Sequence, residues 1–203
     1  MRTLATLIFP GFELLDACGP LQMFGLLKDD FHLVTVAEEK GPVASNQRVS
    51  LFADMSLDDE LTPDLILVPG GMGTRAEISN QRLLDWIKGI SEKAELVTSV
   101  CTGSALLAKA GALDGKRATT NKAAFHWVTE QSAKVEWVRQ ARWVEDGRFF
   151  SSSGVSAGMD MSLAVIARLL GQERAEEVAT WAEYDWHQNA NWDPFAKIHS
   201  LVD

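Results

Sequence analysis

The chain has 203 residues, 19 of them basic and 28 acidic, for a formal net charge of −9, and 46% of it is hydrophobic. That composition belongs to a single globular domain and excludes a disordered chain, a collagen-like chain or a small disulfide-knit scaffold. The acidic balance disfavours nucleic acid as a partner, and no apolar run is long enough to span a membrane.

Thr3 to Phe9 is an apolar run stopped by Pro10-Gly11. With Arg2 ahead of it and Leu15-Asp16-Ala17-Cys18 behind, it has some features of a secretory leader. However, Pro10, Gly11 and Glu13 break the run, and an acid is out of place in a cleavage box. A first strand of a cytoplasmic protein is the expectation, with Cys18 and Cys101 as free thiols. Gly19-Pro20 opens a helical pattern with Leu21, Phe24 and Leu27 on one face. Phe31 to Ala37 reads as a second strand, and residues 41–57 as short edge pieces or a hairpin. Leu65 to Val68 is a fully apolar strand ending at Pro69-Gly70-Gly71. A helix marked by Leu83, Leu84, Ile87 and Ile90 follows, then the strand Leu96 to Val100. That strand runs into Cys101-Thr102-Gly103-Ser104 and the helical Ala105 to Ala108. Ala118 to Thr120 is a short strand and Ala124 to Glu130 a short helix. Extended segments flank a turn at Asp146-Gly147, and two helices, 156–170 and 172–186, meet at Gly171. Apolar strands alternating with helices predict one α/β domain whose mostly parallel sheet is covered on both faces. An aromatic C-terminal arm begins at about residue 183.

In such sheets ligands sit beyond the carboxyl ends of strands, which singles out Gly70-Gly71 and Cys101-Thr102. Ser99-x-Cys101-x-Gly103 between strand and helix has the form of a nucleophile elbow. There, helix-terminal N–H groups can lower a thiol from about 8.5 into the range of roughly 3.5–7.5. A buried small hydrophobe is the alternative for Cys101. Gly70 and Gly71 permit an anion pocket with the Thr102 N–H as a further donor; alternatively they form only a tight turn. Asp16, among Leu14, Leu15 and Ala17, is either a helix cap or a buried carboxyl that exchanges a proton with Cys101. Cys18 is expected to pack in the core, and His126 and His187 have structural or surface positions. The two cysteines have no metal-ligand spacing, and no metal or other cofactor is implied.

With Asp16-x-x-Gly19-Pro20, Gly70-Gly71 and Val100-Cys101-Thr102-Gly103 in this order, the chain resembles the ThiJ/PfpI superfamily from residue 4 to about 170. Ala112 to Thr120 and Gly154 to Asp160 match it too. The resemblance implies a flavodoxin-like, class I glutamine amidotransferase-like α/β fold with a nucleophile elbow. Within the superfamily the motifs look most like the isocyanide hydratases, which hydrate R–NC to an N-formamide. This implies Cys101 as nucleophile, Asp16 as general acid/base and Thr102 as a pocket residue, with Gly70 and Gly71 at the reacting group. It also implies a small-molecule substrate and a homodimer. Thr102 follows the cysteine, and Asn121 stands where relatives carry histidine, which weakens protease and glyoxalase-type readings. The regulator relatives carry a helix-turn-helix module after this domain, and none is expected within these 203 residues. A glyoxalase-like or other cysteine hydrolase, and a non-enzymatic redox or ligand sensor, are the alternatives. Asn121, Trp186 and Trp192 are candidate pocket walls; for the tryptophans the other reading is an arm packed on the domain.

Overall fold

The computed structural model describes residues 1–203. Its first half contains β1 (Arg2–Leu7), α1 (Leu14–Gly25), β2 (Phe31–Ala37), β3 (Gly41–Ala44), β4 (Ser50–Ala53), β5 (Met55–Ser56), β6 (Leu65–Val68), α2 (Thr74–Glu77), α3 (Gln81–Lys93) and β7 (Leu96–Val100). The second half adds α4 (Gly103–Lys109), β8 (Arg117–Ala118), α5 (Phe125–Thr129), β9 (Glu136–Trp137), β10 (Trp143–Asp146), β11 (Phe149–Ser152), α6 (Ala157–Leu170), α7 (Gln172–Trp181) and α8 (Pro194–Ile198).

Seven strands form the main sheet in the order β10-β11-β7-β6-β1-β2-β5. Every pairing is parallel except the β10–β11 hairpin, whose turn uses Gly147 at φ 63°. The run β2-β1-β6-β7-β11 is the flavodoxin-like order, with its switch point between β1 and β6. β3 and β4 form the expected hairpin outside this sheet.

Strand alternation divides the core in two. Leu4, Leu65 and Leu67 pack with Phe24 of α1, Met161 and Val165 of α6 and Val178 of α7. Ala5, Ile66 and Val68 face the other way, onto Leu83 and Ile87 of α3 and Leu106 of α4. Each large side chain buried in this way contributes roughly 1.5–3 kcal/mol. Because both faces are covered, β6 is buried at every residue, which explains its unbroken apolar sequence.

Several boundaries differ from the sequence expectation; β1 ends at Leu7 rather than Phe9, and the strand expected over 118–120 is Arg117–Ala118. α1 begins at Leu14, so Pro20 lies inside the helix and Asp16 in its first turn. Gln47, far along the chain, accepts from the Leu14 N–H at 3.0 Å and supports that early start. α7 stops at Trp181, and Glu183 takes φ 47° as the chain turns away. α8 lies in the arm, capped by the Asp193 side chain on the Phe195 N–H at 3.0 Å, with Pro194 in the first turn.

Candidate functional site

β7, β6 and β1 are neighbours, so the loops at their carboxyl ends lie side by side. Cys101 directly follows β7, Gly70 and Gly71 follow β6, and Asp16 enters from α1 after β1. Cys101 takes φ 56°, a left-handed conformation that is uncommon for a non-glycine residue. Its N–H donates to the Ser153 carbonyl at 3.2 Å. Its carbonyl accepts from Thr120 Oγ1 at 2.8 Å and Ser104 Oγ at 3.1 Å. The surrounding bonds therefore hold the strained residue in place. A Cβ on Gly103 would lie 2.1 Å from the Val68 carbonyl oxygen, so the elbow requires glycine there.

Asp16 is fully buried, and its Oδ2 accepts from the Gly70 N–H at 2.9 Å. Its Oδ1 has no hydrogen-bond partner in the protein. Burial pushes this carboxyl up to about 8; the Gly70 N–H opposes the rise and the Glu13 charge adds to it. Gly70 must be glycine, because a Cβ there would lie 2.5 Å from the Thr102 nitrogen and 2.9 Å from Asp16 Oδ2.

Cys101 is 6% exposed. Burial and the adjacent Asp16 charge push its thiol well above the ordinary range, against the downward pull of the Thr102 N–H. The sequence placement at a helix start predicted the opposite shift. α4 has only seven residues, and the loss of water outweighs its terminal dipole.

Thr102 is buried with its Oγ1 3.0 Å from the Gly71 nitrogen, from which it accepts, and 3.2 Å from Thr74 Oγ1. Thr74 in turn donates to the Gly71 carbonyl at 2.7 Å. The Gly70 and Gly71 N–H groups are thus both engaged, one by Asp16 and the other by Thr102.

Above this floor opens a cleft of about 300 Å3 lined by Cys101, Thr102, Gly71 and Asn121, together with Glu13 and Arg75. Asp16 and Gly70 lie behind its lining. Asn121 Oδ1 accepts from the Ala124 N–H at 3.0 Å, which fixes this wall ahead of α5. A second cleft of about 270 Å3 adjoins the first across Asn121, Ala123 and Val155.

Trp186 and Trp192 do not line the Cys101 cleft. Trp186 Nε1 donates to the Asp160 carbonyl at 3.1 Å and packs with the α6–α7 core, while Trp192 lies against the His187 ring and is half exposed. Cys18 is half-buried rather than packed in the core, because it shares the outer face of α1 with exposed Leu15. Glu13, Arg75 and Val155 of the lining were missed from sequence. For Arg75 a signal existed: it lies in the glycine-rich run that follows β6, Gly70-Gly71-Met72-Gly73-Thr74-Arg75.

The DJ-1/PfpI family model matches residues 2–168. The isonitrile hydratase of Pseudomonas putida is 36% identical over 179 residues, which are 88% of this chain and 76% of that protein. The HTH-type transcriptional regulator CdhR of Pseudomonas aeruginosa is 28% identical over 177 residues, 85% of this chain but 52% of the regulator. Among solved structures, a THiJ/PfpI family protein from Pseudomonas syringae superposes with a TM-score of 0.83 at 30% identity, covering 91% of this chain and 75% of that one.

Proposed function

The chain belongs to the DJ-1/PfpI family, and we propose that within it this protein is a cysteine-dependent hydratase, acting as a homodimer, that converts isocyanides to N-formamides. The observation that carries the reading is the buried Asp16–Cys101 pair beneath a cleft of small-molecule size. The 36% identity to an isonitrile hydratase supports the substrate class.

The pair titrates as a unit. Two negative charges in one buried site repel each other, so the working form carries one proton. With that proton on Asp16, the carboxyl no longer opposes a thiolate and can donate to it, while the Thr102 N–H stabilises the sulfur. Cys101 Sγ then attacks the terminal carbon of R–NC, and a C–S bond forms. Asp16 delivers its proton to the same carbon, giving the thioimidate R–N=CH–S. Water adds its oxygen to that carbon, and one water proton reaches the nitrogen. Collapse of the adduct returns the hydroxyl proton to Asp16, expels the Cys101 thiolate and releases R–NH–CHO. The sum is isocyanide plus water, with both protein groups restored.

A peroxide-sensing cysteine is best served by an exposed, readily ionised thiol; the burial of Cys101 favours the enzyme reading. The test is a panel of alkyl and aryl isocyanides assayed for formamide with wild type, Cys101→Ala and Asp16→Ala. Wild type is expected to turn over at least one substrate, and each variant to lose at least a thousandfold in rate, on the order expected when a nucleophile or its proton partner is removed. No turnover of any isocyanide by folded wild type would overturn the assignment.

A further inference from the structure

The Cys101 cleft has a single cationic side chain in its lining, Arg75. Its guanidinium carbon lies 4.4 Å from the centroid of the Trp127 ring, on the ring face. Stacking of this kind holds the planar fork in one orientation while leaving its N–H edges free. Arg75 makes no ion pair with any carboxylate of the protein. Glu77, two residues on, is already held by the Asn80 side chain at 2.8 Å. A pre-oriented guanidinium without an acid, at a substrate cleft, has the chemistry of a carboxylate anchor. The other charge in the lining, Glu13, is hydrogen-bonded to Gln47 and repels an anion from the α1 side. The two charges together give the cleft an orientation, with an anionic substituent drawn toward Arg75.

We propose that the substrates are isocyanides bearing a carboxylate, and that Arg75 binds this carboxylate while the isocyano carbon lies at Cys101. The substrate class rests on the hydratase reading, whereas the anchor itself can be tested without turnover. The probes are N-formylglycine and its methyl ester, the hydration products of isocyanoacetate and methyl isocyanoacetate. Calorimetry on Cys101→Ala should show the acid binding about tenfold tighter than the ester, the value of one charge-assisted contact at a partly exposed site. In Cys101→Ala/Arg75→Gln this preference should vanish, and in Cys101→Ala/Arg75→Lys part of it should remain. In the Cys101-containing enzyme, the ratio of kcat/KM for isocyanoacetate to that for its methyl ester should fall about tenfold on Arg75→Gln, mainly through KM. An acid-over-ester preference that is absent, or that survives Arg75→Gln, overturns the proposal. Failure to hydrate both of these isocyanides and every member of the alkyl and aryl panel sinks the hydratase reading instead and leaves the binding result to decide the anchor.

Discussion

Asp16 is the residue whose environment departs furthest from what its position in the chain suggests. It lies in the first turn of a helix, a location that stabilises carboxylate charge, yet burial pushes it up to about 8. The folded protein therefore holds this proton more tightly than the unfolded chain, whose value is near 3.8. The favourable contribution is complete below pH 4 and is lost as pH rises through 8. Wild type should thus lose stability relative to Asp16→Asn across that window, by at most about 1.4 kcal/mol per pH unit. Asn retains an acceptor for the Gly70 N–H, which isolates the charge. Urea unfolding of both proteins at pH 5 and pH 8 measures the effect; parallel pH dependences would show that the carboxyl ionises freely in the fold. The sequence revealed Cys101 as the elbow residue because strand, small neighbours and helix all lie within a few positions. It did not reveal the thiol's proton affinity, because that depends on burial by the tertiary fold and on the charge of Asp16, which is remote in sequence.

Elements were legible where one face, or both, had to be apolar. β1, β6 and β7 stand out as buried runs, and α3 as a stripe of Leu83, Leu84, Ile87 and Ile90. Short elements were less legible, since five residues cannot display a 3.6-residue period; α5 was legible over 124–130, but the short helices α2 and α8 were not. α8 is the example; its only local marks are the cap Asp193 and the following Pro194. Asp193 has a second task that no spacing shows. Its Oδ2 lies 4.0 Å from Lys122 Nζ, and both side chains are almost completely buried. Lys122 is lowered to about 8, chiefly by burial, with Asp193 opposing that shift. Asp193→Ala should remove both the cap and the counter-charge and cost about 3 kcal/mol, whereas Asp193→Asn keeps the cap and should cost about half as much. Chemical denaturation of the two variants checks this, with limited proteolysis at 190–203 as the local readout. Equal losses in both would assign the whole effect to the charge.

At the scale of the whole molecule, the site comes from topology. Asp16, Gly70 and Cys101 meet because β1, β6 and β7 are adjacent and parallel, which places three loops at one edge beside the switch point. This much followed from reading an alternating α/β chain, and so did the position of the cleft. The C-terminal arm is expected from about residue 183, but its role stays open in the sequence between a pocket wall and a packed strap, because aromatic density suits both. The structure shows the strap. Asp160 of α6 is fully buried and gathers the arm: its Oδ1 accepts from Tyr184 Oη at 3.0 Å and the His187 N–H at 2.9 Å. Its Oδ2 takes Arg142 Nε at 2.6 Å, and the Arg142 N–H donates to the Ala190 carbonyl at 2.7 Å. One carboxylate thus ties α6, the approach to β10 and the arm together. Asp160→Ala should leave Arg142 unpaired beneath the surface and cost about 3–5 kcal/mol, the usual penalty for breaking a buried pair from one side. Asp160→Asn should cost less, because it can still accept the Tyr184 and His187 bonds. Hydrogen exchange supplies the local readout: the His187 amide should lose protection in Asp160→Ala, by more than the change in global stability accounts for. If that amide stays protected and stability falls by less than about 1 kcal/mol, a margin typical of surface changes, then the apolar packing of Tyr184 and Trp186 holds the arm without Asp160.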